Sequence, residues 1–409
     1  MSNTLVTIDM VTREALRIAH EKCQFISTTD RQYDSSFAKT GAKIGASLRV
    51  RKPNQYLRTQ GTRVMDVQEQ DEQTSTVTVA TQDHVDMRFN SAELALSLDE
   101  LSKRYIEPAV SSLVSAIEGD YLAYATKKTY NVVGTAGTAI TDLTAPGLAR
   151  ARLNQMLAPK DRNRAIQMDS VTMAGLVKGV AAYFNPSGAI SEQYREGLVA
   201  RTSMADYYEN ERVWSLTNSG DVTVTTAAAA AVTDGGTNIT LASVGAGDTT
   251  AGMTFTVAGV YACHPETKQS LGYLQPYVVI TGGATTQTVS PATILTGPRQ
   301  NVCSAASAQL ATTAYNGTAV AVTFFGAANT SYAQSLMYHK EAFQFVTADL
   351  PLMDDAHKCV RRSQDGLSLR VWQASDIRND ELLMRIDILY GMAALRPEWA
   401  CRMIGAASA

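Results

Sequence analysis

Apolar residues at Leu101, Tyr105, Ala109, Leu113, Ile117, Tyr121 and Tyr124, with Ile106, Val110 and Val114 beside them, recur every three or four positions. That spacing predicts one long amphipathic helix over 97–131. Ser97 and Asp99 are N-cap residue types, Asp99 and Glu100 fall in the first turn, and Lys127 and Lys128 fall in the last, the charge order a helix dipole favours. At about 1.5 Å per residue the helix would be roughly 50 Å long, a strut more than a layer of a compact domain. Pro108 removes a backbone donor inside it and is predicted to bend it. A shorter stripe of Val11, Ala15, Ile18 and Ala19, with Cys23 or Phe25, predicts a helix over 5–24 that Asp9 could cap. The polar, aperiodic stretch behind it reads as an arm that lies on something else, not as a core element.

Period-two alternation takes over at 46–53, 75–82 and 84–89, which read as strands. The polar stretch between them makes an extended β-hairpin. Its charges are segregated, with Arg49, Arg51, Lys52, Arg58 and Arg63 on the outgoing leg and Asp66, Glu69, Asp71 and Glu72 on the return. A hairpin this polar cannot bury itself; from the residues alone it is either an ordinary surface loop whose charges keep it soluble or a segment that packs on a neighbouring subunit, with the charges choosing the register. Beyond the long helix, the pattern predicts a helix at 147–158 with Pro146 near its start, a strand at 165–170 and a helix at 171–184. That order fits a mixed α/β or α+β domain. Near the C-terminus, 367–374 and 381–395 read as two strands that could pair and lie against the long helix.

From Asp221 to Gly326 the composition shifts. The charged residues there are only Asp221, Asp234, Asp248, Glu266, Lys268 and Arg299, and short runs rich in Thr, Val and Ala are separated by glycine turns. This predicts a small all-β module, barrel or sandwich, inserted into a helix-containing domain.

The whole chain has 409 residues, 45% of them hydrophobic and 18% charged, with a net charge of −3. It can bury a core, and nothing marks it as a basic nucleic-acid binder. Five dispersed cysteines without a CxxC read as reduced thiols. The first residues lack the apolar core of a signal peptide, and no apolar run is long enough to span a membrane. No phosphate loop, HExxH, GxSxG or dinucleotide fingerprint occurs, and His20, His84, His264, His339 and His357 are scattered. No catalytic residue, cofactor or metal site is expected.

One resemblance is specific. His339, Lys340, Glu341, Ala342 and Phe343, then Leu369, Arg370, Asp376, Arg385, Asp387, Gly391, Pro397, Glu398 and Arg402, resemble the C-terminal signature of the P22-type phage coat proteins, tailed-phage major capsid proteins with the HK97-like fold. Residues 197–213 are similar to the strand that precedes the insertion in that family, departing from it at Arg201 to Ala205. The resemblance implies an α+β fold with an N-terminal arm over 1–44, an extended E-loop hairpin over 45–96 and a spine helix over 97–139. An axial domain would take 140–220 and 327–362, an inserted β-barrel-like domain 221–326, and C-terminal strands over 363–409 would complete a peripheral domain.

It implies a coat protein that self-assembles into pentamers and hexamers of an icosahedral shell, enclosing double-stranded DNA without sequence preference. A scaffolding protein and a portal protein would be its partners, with no membrane involved; it would assemble in the host cytoplasm and reside in the virion. A chain that starts at an arm suggests a separate scaffolding protein. The hairpin charges would make inter-subunit contacts, Arg13, Glu14 and Arg17 would make arm contacts, and Pro108 would be a pivot of the spine helix. Two other classes are an encapsulin-like shell protein, against which the inserted module argues, and an enzyme with a β accessory domain, for which no polar cluster offers itself.

Overall fold

The computed structural model describes residues 8–34, 47–61, 65, 67–68, 72–90, 102–180, 204–219, 223–226, 234–242, 249–282, 286–303, 320–352, 358–364, 366–376 and 381–407. The chain forms two compact units. One holds Met1–Val50, Thr74–Leu122 and Phe343–Leu395; the other holds Arg51–Gln73, Ala123–Ala342 and Arg396–Ala409.

The first unit is built on a six-stranded sheet whose centre is the 14-residue strand Glu381–Ala394. It pairs antiparallel with Phe343–Ala348, Leu367–Asp376 and Thr81–Asn90. Lys358–Gln364 extends one side, and Asp30–Asp34 runs parallel to Phe343–Ala348. Gly391 lies where the strand Thr74–Thr78 crosses this sheet: a Cβ there would overlap the Thr78 carbonyl oxygen. The long helix packs Val110, Leu113, Val114 and Ile117 towards Leu367, Leu369 and Ile388. Its regular α-helical part is Glu107–Lys128, preceded by a π-helical turn at Ser102–Ile106. Pro108 accounts for that turn, since it has no N–H to offer the carbonyl four residues back, and the ladder widens around the gap. The predicted caps at Ser97 and Asp99 lie outside the described residues.

The N-terminal helix Ile8–Lys22 differs from the expected arm. Val11, Ala15, Leu16, Ile18 and Ala19 are all buried, and the helix packs on Lys358–Gln364 and Leu367–Asp376 of its own chain. Its stripe carries two more apolar residues, Ile8 and Leu16, than the sequence reading counted, enough to make it a core layer. Phe25 follows it into the core, 4.7 Å from the Tyr121 ring, and the buried Glu118 carboxylate accepts the Phe25 N–H.

The second unit contains another six-stranded sheet, in the order Val132–Val133, Ala400–Ala407, Ser331–His339, Arg164–Met168 and Asp206–Glu209, with Ser215–Thr217 also paired to Ser331–His339. Helices Thr144–Gln155 and Ser170–Val180 accompany it. The division of the C-terminal part thus differs from the expected one. Ala400–Ala407 joins this sheet through its pairing with Ser331–His339, whereas Phe343–Ala348 belongs to the first sheet through Glu381–Ala394.

Between Thr217 and Ser331 the chain forms a closed antiparallel ring of six strands. Thr254–Cys263 pairs with Ser270–Thr281 on one edge and Ala321–Phe324 on the other. Thr223–Thr226, Gly236–Ala242 and Thr286–Thr293 complete the circuit, and Val302–Cys303 adds to Thr254–Cys263. The interior is filled by Ile239, Leu241, Phe255, Val257, Tyr277, Val279, Val289, Val322 and Phe324. Closure leaves few unpaired edges, so the strands need few charges to guard them.

Candidate assembly surfaces

The hairpin starts from the paired strands Ser47–Arg51 and Thr74–Thr78. At its root the Lys52 N–H donates to the Gln73 carbonyl at 2.8 Å, and Arg51 meets Glu72 at 3.2 Å. Farther out, the Gln68 side chain replaces a ladder rung: its Nε2 donates to the Leu57 carbonyl at 2.6 Å, and its Oε1 accepts the Leu57 N–H at 2.8 Å. Of the segregated charges, Arg51 and Glu72 come together. Arg63, Asp66, Glu69 and Asp71, and the side chain of Arg49, lie outside the described residues. Lys52 and Arg58 have no ion-pair partner among the described residues. The exposed Arg51–Glu72 pair is worth about 0–1 kcal/mol, so it sets the register only weakly.

The polar reading of this hairpin missed its apolar side chains. Tyr56 is 55% exposed, Met65 82% and Val67 79%, with Leu57 beside them. The signal was in the sequence: Tyr56, Leu57, Val64, Met65 and Val67 are five apolar residues in a stretch with no core of its own to join. The hairpin residues Gln55, Leu57 and Gln68 also face Asp234, Ile294 and Arg299 of the barrel across a groove of about 560 Å³.

On the N-terminal helix, Arg13 pairs with Asp9 at 3.0 Å and Arg17 with Glu14 at 2.6 Å. Asp9 also takes Arg362 at 2.7 Å, which ties the solvent face of the helix to the strand beneath it. Pro108 is exposed at the junction between the π-turn and the α-helix.

The signature residues are positioned by the sheets. Arg370 stands directly opposite Asp387 in the register, and its Nη2 and Nε reach one carboxylate oxygen at 2.7 and 3.1 Å. Arg385 takes the other oxygen at 2.5 Å, and Arg370 also donates to the Pro351 carbonyl. His339 is buried; its Nε2 lies 3.0 Å from Asp161, its Nδ1 accepts the Glu341 N–H, and its ring meets Trp399 edge-on. Desolvation would raise the Asp161 pKa, but hydrogen bonds from Asn163 and His339 hold it at about 2.

Arg402 is fully buried and donates to the carbonyls of Thr129 and Gly252, each at 2.8 Å. Burial pushes its guanidinium down to about 9. Gly252 has φ +101°, and a Cβ there would lie 2.6 Å from the Trp214 ring, over which Lys127 sits at 5.1 Å. Arg402 therefore fastens the barrel to the sheet that carries it. At the neck, Thr217 and Ser331 share a 2.6 Å hydroxyl hydrogen bond, and Asn218 donates to the Phe325 and Ala327 carbonyls. Among the described residues no group of three or more His, Cys, Asp or Glu could hold a metal, and no helix is long and apolar enough to cross a membrane.

Within the second unit, Arg402 and the neck contacts tie the barrel to its sheet. The sequence matches the family model described as "P22 coat protein - gene protein 5" over residues 72–405. The chain belongs to the P22 coat protein family. It is therefore a phage major capsid protein, a structural shell component of the virion, and its architecture is mixed α+β.

No curated protein sequence matches this coat protein. Solved structures similar to it include a chain of Mycobacterium phage Che8, at 8% identity and TM-score 0.45, covering 91% of this chain and 88% of that one. The capsid of cyanophage P-SCSP1u is similar at 10% identity and TM-score 0.45, with 93% and 87% covered. The mature capsid of bacteriophage PhiM1 is similar at 10% identity and TM-score 0.44, with the same coverage of 93% and 87%.

Proposed function

We propose that this coat protein closes into an icosahedral shell of pentamers and hexamers that encloses the double-stranded DNA of a tailed phage. The observation that carries this reading is the family match over residues 72–405. A separate scaffolding protein guides assembly in the host cytoplasm, and a portal protein occupies one vertex. The hairpin over 45–96 lies across a neighbouring subunit, where Arg49, Arg51, Lys52, Arg58 and Arg63 on one leg and Asp66, Glu69, Asp71 and Glu72 on the other meet complementary charges. Arg13, Glu14 and Arg17 on the exposed side of the N-terminal helix offer a contact to a neighbour or to scaffold. Residues 221–326 form the inserted domain and sit on the outer surface. The spine helix re-tilts at Pro108 when the shell expands on packaging.

Electron microscopy of the full chain, expressed alone and with the scaffolding protein encoded near it, tests this reading. Closed shells of regular size with a bump on each subunit are the expected result. A small oligomer under every condition would overturn it.

A further inference from the structure

The inserted ring holds two cysteines on neighbouring strands. Cys263 ends the strand Thr254–Cys263, and Cys303 ends Val302–Cys303, the short strand paired to it. The register sets Cys303 opposite Tyr261 and Val302 opposite Ala262. Cys263 lies two positions on from Tyr261, so it shares a face with Cys303, on the diagonal. Cys303 Sγ is 3.7 Å from the Ala262 carbonyl oxygen, and Cys263 Sγ is 3.8 Å from that of His264. The Cys263 thiol donates to the Cys303 sulfur, which the Ser270 hydroxyl also reaches. The other three cysteines, Cys23, Cys359 and Cys401, lie on other elements.

Sulfurs already in contact have an ångström or two, roughly, to close before they reach a bond of about 2 Å, and a strand of two residues can yield that much. Such a bond would close a loop that holds Ser270–Thr281 and Thr286–Thr293, two strands of the ring, and would restrict the unfolded ring accordingly. Both thiols are free and buried. Burial pushes Cys263 up to about 12 and raises Cys303 as well, so both stay protonated near neutrality and react slowly, and only a small oxidant reaches them.

We propose that Cys263 and Cys303 form a dormant cross-link site, which a peroxide converts to a disulfide that staples the inserted ring. The Cys303 sulfur takes one oxygen atom from hydrogen peroxide and becomes a sulfenic acid, and the rest of the peroxide leaves as water. The Cys263 sulfur then attacks it; the S–S bond forms, and the hydroxyl leaves with the Cys263 proton as a second water. The two thiols give up two electrons, and one peroxide is reduced to two waters. Cys303 reacts first because two donors, Ser270 and Cys263, favour its thiolate. This chemistry belongs to the ring alone and does not depend on the shell reading.

The test exposes the native full-length chain to hydrogen peroxide for hours, unfolds it in a thiol-blocking alkylating agent and digests it with trypsin. A peptide pair joined through residues 263 and 303, found by mass spectrometry, is expected at least tenfold above any link through Cys23, Cys359 or Cys401. Recovery of both as alkylated thiols, or oxidation of either to a sulfinic acid without the link, would overturn the proposal. In Cys263→Ala the sulfenic acid at Cys303 has nothing to resolve it, so its dimedone adduct should exceed that of wild type at least tenfold; equal labelling contradicts the order of steps.

The staple is read by thermal unfolding. Oxidised wild type is expected to melt roughly 5 °C or more above its reduced form, and dithiothreitol should reverse the shift. Cys303→Ala should show no such shift against its own untreated form, a comparison in which the cost of the lost side chain cancels. A linked wild-type chain that melts no higher than the reduced one would overturn the stapling, and that outcome stands whether or not the variants fold.

Discussion

Asp387 shows how one carboxylate organises a sheet. It is fully buried, and two guanidiniums from adjacent positions on paired strands satisfy it. Removing its charge strands Arg370 inside the protein. Asp387→Asn is expected to cost about 3–5 kcal/mol in urea unfolding, whereas the apolar double variant Arg370→Met with Asp387→Leu should lose far less. Asp161 supplies a pH signature. Its folded pKa of about 2 lies below the ordinary 3.8, so its carboxylate contributes stability that is present above pH 3.8 and lost as pH falls through about 2. The difference in unfolding midpoint between the wild type and Asp161→Asn should therefore be constant near neutrality and shrink towards pH 2. A difference that grows on acidification would contradict the hydrogen bonds drawn for this loop.

At the level of elements, Gly391 and Pro108 each set how a segment runs. Gly391→Ala puts a methyl group against the Thr78 carbonyl. The hairpin leg must then lift from the sheet, at about 1–3 kcal/mol, and amide exchange should accelerate at Val77 and Val79. Pro108→Ala restores an N–H, so the π-turn Ser102–Ile106 should tighten to α-helix and slow its amide exchange; shells of this variant are expected to expand differently from wild type. The long helix, the alternating strands and the Thr-rich runs of 221–326 were readable because period and composition are local properties. The fate of the N-terminal helix was not, because whether a stripe meets its own sheet or another chain depends on tertiary space. The roles of Arg402 and Asp387 were hidden for the same reason: a buried arginine and a surface arginine look alike until the fold brings Gly252 and Thr129 to one of them. The hairpin's apolar strip was legible at Tyr56, Met65 and Val67 and was obscured by the charges around it.

For the whole molecule, the inserted ring carries its own core and its own closure. A chain of residues 218–330 alone is expected to fold, showing dispersed amide resonances and one cooperative thermal transition; a disordered spectrum would mean that the sheet and Arg402 supply what the ring lacks. The neck has a further consequence. Thr217 and Ser331 are direct partners on adjacent strands, a separation of about 5 Å fixed by sheet geometry. A compact module whose two ends lie that close can replace the ring, provided that it also offers buried Arg402 an acceptor where the Gly252 carbonyl stood. The neck is thus a socket: the two chain crossings that enter and leave the ring are held side by side, so a foreign domain with close-set ends that also satisfies Arg402 can be mounted there on every copy of the chain.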